Sequence, residues 1–219
     1  MSLRASRTIA GNIVDGIKKA GEALGPGYMQ LAAMYSTNFF ARKINAEAPY
    51  IKDIDKALKY VTDNMNLFLN GYAALAYGAM KAESTIQGAT GAIMRMVAKT
   101  STQKTFEEAG FGKALGKAST ASEALKIYYN SLVKLGSMKK EDLEITESDE
   151  GLTLRVDNCP FADACIAAVS EGIPKILGGH ECVRILAFAT IIEVMTGRQQ
   201  DYKLLDLSPP HCSAMIVEV

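Results

Sequence analysis

The sequence predicts an α+β protein: a helical N-terminal half, then a β-β-α-α-β-β unit with an antiparallel sheet. Three observations predict it. Apolar residues recur three and four apart through about the first 120 residues. The run "LEITESDEGLTLRV" then switches to alternation around an Asp-Glu-Gly turn. Two more alternating runs, "DYKLLDL" and "SAMIVEV", close the chain.

Taken in order, Ile9, Ile13, Ile17 and Ala20 predict a first helix that ends at Gly25-Pro26-Gly27. Leu31, Met34, Tyr35 and Phe39 mark a second stripe, and Ile54, Leu58, Val61, Met65 and Leu69 a third. Gly71, Gly78, Gly88 and Gly91 follow in a small-residue stretch where backbones can pack closely or a ligand can approach. Lys99 to Thr120 reads as a polar, Gly-punctuated connection. Leu125, Tyr128, Tyr129, Leu132 and Leu135 then predict a helix stopped by Gly136.

In the second half, residues 143–156 read as a β-hairpin. Cys159 is placed to cap the next helix, with Pro160 at its first position. The run from Glu181 to Gly197 predicts a helix buried on most sides, because Glu181, Arg184 and Glu193 are its only acidic or basic residues. Two strands joined across Ser208-Pro209-Pro210-His211 follow. These boundaries divide the chain into a helical region, 1–120, and an α+β unit, 121–219, built as one continuous body with the preceding helices.

Bulk composition narrows the function. Hydrophobic residues make up 48%, which permits a real core. Lysine plus arginine, 24, balances aspartate plus glutamate, 24, so no strong field recruits nucleic acid. Ten methionines and no tryptophan suit either a plain helical core or an adaptable apolar pocket. No secretory leader is apparent, and the longest uncharged run, Asn64 to Met80, is too short and polar to span a bilayer. The expected location is cytoplasmic, where cysteines read as thiols or ligands.

The stretch "VDNCPFADACIAAVSEGIPKILGGHEC" holds three of the four cysteines and one of the two histidines. No pair has the short spacing of a zinc knuckle, so the fold would have to assemble any metal site. Cys165 lies four residues from Phe161 and from Val169, in an apolar stripe, and reads as core. Cys159 and Cys182 fall at helix starts, where the local positive potential favours a thiolate, and Cys212 opens the last strand. If the segment after the first helix runs back up the sheet, all three thiols meet at one end, near His180, His211 and Asp206. A metal site, a reactive thiol and three packing cysteines all stay open on the residues alone.

The runs "LGSMKKEDLEITESDEGLTLRVDNCPF", "HECVRILAFATIIEVMTG" and "YKLLDLSPPHCSAMIVEV" resemble the 4-vinyl-reductase-like, hydrocarbon-binding domain family. That fold is shared with vesicle-tethering TRAPP subunits and haem nitric-oxide-binding domains. The similarity covers roughly Ser122 to Val219. It implies a small, largely apolar or aromatic ligand held between helices and sheet, and a homodimer. In aromatic-sensing members a zinc is held by cysteines and a glutamate, and Cys182 and Cys212 match two of those cysteines. The Glu-x-x-Cys of those members is absent from strand three, where "LLDL" stands. Cys159, a histidine or Asp206 would complete the set.

The expected metal ligands are therefore Cys159, Cys182 and Cys212, with His211 or His180 as the fourth, around zinc or iron. Tyr72, Tyr77, Met94 and Met96 are the expected pocket residues. Haem is not expected, because "YNSLVK" lacks the arginine of the haem-binding motif. "GFGKALGKAST" departs from the phosphate-loop spacing and follows no strand, so no nucleotide is expected. Two histidines and no G-x-S-x-G argue against a serine triad. A thiol-dependent hydrolase or reductase, with a Cys–His pair, and a dimerising scaffold without chemistry are the alternatives.

Overall fold

Helix α1 (Leu3–Leu24) starts where the Ser2 hydroxyl accepts from the Ala5 N–H, at 3.2 Å, and stops at Gly25, whose φ is 86°. The computed structural model describes residues 2–86, 91–115, 118–173 and 182–219. Helices α2 (Pro26–Lys43), α3 (Ile54–Asp63), α4 (Tyr72–Ser84), α5 (Ala92–Phe106) and α6 (Ala121–Lys134) follow. Strands β1 (Leu143–Ser148) and β2 (Gly151–Val156), helices α7 (Ala162–Ser170) and α8 (Val183–Thr196), and strands β3 (Gln200–Ser208) and β4 (His211–Glu218) complete the order. The fold is α+β, with an antiparallel sheet ordered β1-β2-β4-β3.

Two helices form the centre. Every residue from Tyr72 to Met80 in α4, and from Val183 to Ile192 in α8, is buried. Helices apolar all round must be covered all round. Accordingly α2, α1 and α7 pack on α4, while α5, α6 and β3 pack on α8. Core side chains of the helical half and of the sheet form one cluster. The sheet contributes Leu152, Leu154 and Val156 from β2 and Cys212, Ala214 and Ile216 from β4, the alternate residues of one face.

Three expectations need correction. In α2 the buried residues are Tyr28, Ala32, Ala33, Ser36, Thr37, Phe39, Phe40 and Ala41, so of the expected stripe Phe39 is buried while Leu31, Met34 and Tyr35 are half-buried. The small residues face inward because α4 comes very close: a Cβ on Gly78 would lie 2.0 Å from Ser36 Oγ and 2.5 Å from the Ala32 carbonyl. Helix α3 ends at Asp63 and does not run on to Leu69. The Asn64 side chain bonds the Tyr60 carbonyl, at 2.9 Å, and competes with the helix. The chain from Lys99 to Phe106 is helical. Its buried face continues past Ala98 through Thr102 and Thr105, which a reading of apolar spacing passes over. Asn12 on α1 donates to Thr105 Oγ1, at 3.1 Å.

Helix α5 is capped from a distance. The buried Glu83 carboxylate, at the end of α4, accepts from the N–H groups of Ile93, at 3.2 Å, and Met94, at 2.9 Å. Burial raises this carboxyl above its usual range, against the lowering effect of those N–H groups. A folded-state value above the unfolded one makes its contribution greatest in acid and smaller as pH rises through the folded value. Glu83→Ala is expected to cost about 2–3 kcal/mol by stranding two buried donors. Glu83→Gln is expected to flatten the pH dependence of stability above the usual carboxylate range. Urea denaturation across that range measures both.

Among the described residues no helix is long and apolar enough to cross a membrane.

Candidate functional site

All four cysteines line one small cavity at the end of the sheet, together with Ala162, Leu207, Pro209, Pro210 and His211. Each is buried, from 1% exposed at Cys182 to 8% at Cys159. The space between them is about 10 Å³, the volume of a single water or ion.

Each thiol arrives by a different element. Strand β2 ends beside β4, with Val156 opposite Cys212. Asn158 then turns the chain in a left-handed conformation, φ 50°, anchored by its side chain to Asp142 Oδ1 at 3.0 Å. Cys159 follows in the turn and donates its N–H to the Pro210 carbonyl, 3.1 Å away. That bond ties the β2 exit to the β3–β4 turn, which delivers Cys212. Cys159 is therefore not a helix cap; Phe161 occupies that position, because α7 begins only at Ala162. Cys165 lies in the first turn of α7 and points into the cavity, so it belongs with the other thiols and not with an apolar stripe. Ile166 and Val169, by contrast, are exposed. Cys182 is the N-cap of α8, its carbonyl accepting from Leu186 at 2.9 Å.

The thiols are chemically unequal. Cys182 Sγ lies 3.6 Å from Cys212 Sγ. The neighbouring Cys165 and Cys212 thiols hold the Cys182 thiol well below its usual range, helped by backbone N–H groups of Ile185 and Arg184 at the helix start. Cys165 and Cys212 are pushed up correspondingly, in each case first by Cys182 and then by burial. Burial pushes the Cys159 thiol up to about 11, against the pull of the Arg184 guanidinium. Cys182 is thus the most acidic of the four thiols.

A tetrahedral zinc–thiolate centre, with bonds of about 2.3 Å, sets neighbouring sulfurs about 3.8 Å apart. The Cys182–Cys212 pair fits two such vertices. Among the described residues, however, no three Cys, His, Asp or Glu side chains already form a metal-ready group. His211 turns its ring outward, half-exposed, with Nδ1 2.6 Å from Asp157 Oδ1. Asp206 is exposed and accepts from the Ser208 hydroxyl at 3.0 Å. His180 lies outside the described residues.

A second cavity, about 40 Å³, lies along α8. Ile9 and Ile13 of α1, Ala98, Thr102 and Thr105 of α5, and Tyr128 and Leu132 of α6 line it. Val183, Arg184 and Ala187 of α8 close it, with Tyr72, Ser137 and Phe161. Tyr72 packs edge-on to Phe161, 5.3 Å between ring centres, and burial raises its phenol far above the usual range. Of the four expected pocket residues, only Tyr72 lines this cavity. Tyr77 stacks on Phe39, at 4.6 Å, and donates to Glu171, at 2.7 Å. Met94 is buried in the core elsewhere, and Met96, 37% exposed, sits in a surface groove beside Lys99. A sequence rich in methionine there could not say which face of α5 met α8.

In the sequence Arg184 stands out only as one of the few charges on an apolar helix. It is 3% exposed, with its guanidinium 5.2 Å from the Phe161 ring centre and 5.9 Å from that of Phe188. An arginine in the first turn of an otherwise uncharged helical face is the sequence signal that marks it.

No protein-family model matches the chain, and no curated protein matches it.

Proposed function

We propose that this chain is a small-molecule-binding protein of the vinyl-reductase-like type, whose α8 serves two adjoining sites. The observation that carries the reading is the cavity along α8, walled by apolar side chains of four helices and fitted with a few fixed polar groups, the usual make-up of a ligand pocket. Its size suits a ligand of a few heavy atoms. An aromatic ring needs about 150 Å³, so a short aliphatic molecule suits it better than an arene. The thiol cavity would hold a zinc or iron ion through Cys182 and Cys212, completed by Cys159 and Cys165. Such an ion would lock β2, β4, α7 and α8 together and so set the position of the ligand-facing helix. Burial of all four thiols favours ion binding over nucleophilic catalysis, which needs an accessible sulfur.

Xenon tests the apolar cavity without presuming the natural ligand. A bound-xenon NMR signal is expected from the native protein and is expected to vanish in Ala98→Leu, whose added carbons fill the space. That variant should melt within a few degrees of the parent, since the new side chain occupies a void. Native protein that binds no xenon would overturn the reading.

A further inference from the structure

The proposed cavity has one feature that an apolar ligand alone does not explain. Arg184, 97% removed from solvent, presents a guanidinium to it. Among the described residues Nε has no hydrogen-bond partner, while the rest of the guanidinium meets Ser137 Oγ, 3.4 Å from a terminal nitrogen, and the Cys159 thiol. Among the described residues no carboxylate pairs with it. The lining adds hydroxyls from Ser101, Thr102, Thr105 and Ser137 and contains no acidic side chain. A buried cation that keeps an unused donor and lacks a carboxylate partner is costly unless something satisfies it. The rings of Phe161 and Phe188 hold the guanidinium in place, which pre-organises its fork for a planar acceptor.

We infer that the α8 cavity binds a small organic monoanion, a carboxylate with a short aliphatic tail, with Arg184 as its buried counter-ion. The carboxylate would take the fork, and the tail would lie among Ile9, Ile13 and Leu132. This inference rests on the reading of the cavity as a ligand site and names the class of ligand it takes.

Calorimetric titration of the native protein with propionate, 1-propanol and propylamine tests it. Propionate is expected to bind, the alcohol at least tenfold more weakly, and the amine not at all. Arg184→Met keeps the bulk of the side chain and removes the charge. Replacing a buried ion by an apolar residue is commonly neutral or stabilising, so the variant is expected to fold and still to bind xenon. Its affinity for propionate is expected to fall by at least about thirtyfold, the usual cost of losing one partner of a buried charge pair. Native protein that binds xenon and 1-propanol but gains nothing from the carboxylate would overturn the anion while leaving the apolar pocket standing. Native protein that binds neither xenon nor propionate would remove the pocket itself. Should Arg184→Met lose bound zinc yet keep full propionate affinity, the guanidinium serves the thiolates and the inference fails.

Discussion

Elemental analysis of protein purified anaerobically, without a histidine tag, is expected to give about one zinc per chain, and Cys182→Ser to give none. Cys182 is the N-cap of α8, so its sulfur sits where the helix places positive potential, and the Cys165 and Cys212 thiols share their protons toward it. It is the sulfur best prepared to meet a cation. Serine at the same place offers a harder, shorter donor that does not ionise. An ion present at a thousand times its dissociation constant contributes about 4 kcal/mol to stability. For a chain of this size about 2–4 °C follows each kcal/mol, so the variant should melt about 8–16 °C lower. Iron in place of zinc would point to the same ligand set. Unchanged metal content in the variant would remove Cys182 from the ligand set. With no metal in the native protein, the four thiols are packing residues, and Cys182→Ser should cost only about 1–3 kcal/mol for a buried hydroxyl.

How far such a site can be seen in sequence depends on which physical signal carries each residue. The sheet was legible because alternation is a local signal: Leu152, Leu154 and Val156 announce a buried face within five residues. Cys182 and Cys212 were legible because they sit at the ends of clear elements. Cys165 was not, since a cysteine in an apolar helix has the same local pattern whether it faces a core or three other thiols. The decisive contact is between residues far apart in the chain. Cys159 was found for an incomplete reason: the Cys-Pro pair suggested a cap, but Asn158 at φ 50° and the bond to the Pro210 carbonyl place it. The α8 cavity was less legible still. Its wall draws on α1, α5, α6 and α8, and its polar members include serines, threonines and one arginine that a search for hydrophobic stripes discards. Met96 was the opposite case, an apolar residue that the search retains and the packing leaves at the surface.

The second large effect concerns Gly78, which touches neither cavity. Helices α2 and α4 meet so closely there that a Cβ would lie 2.0 Å from Ser36 Oγ, 2.5 Å from the Ala32 carbonyl and 2.8 Å from the Ser36 N–H. The first of these atoms belongs to a side chain and can turn away, but the other two are backbone and cannot. Gly78→Val is therefore expected to force the two helices apart, at a cost of at least about 3 kcal/mol, the upper end for overpacking in a core. Removing the movable obstacle provides the check. Ser36→Gly in the same chain relieves the hydroxyl contact and leaves the carbonyl, so it should recover only part of the lost stability in thermal denaturation. Complete recovery would mean that the backbones are free to part and that the close approach is incidental. The consequence reaches the site through α4, whose first residue is Tyr72, packed on Phe161 at the cavity wall. A shift of α4 away from α2 must move Tyr72 relative to Phe161, and Phe161 is one of the two rings that hold Arg184. Gly78→Ala, milder and still foldable, is thus expected to weaken xenon binding from a distance, whereas a Leu205→Ala control on the exposed bulge of β3 should leave it unchanged.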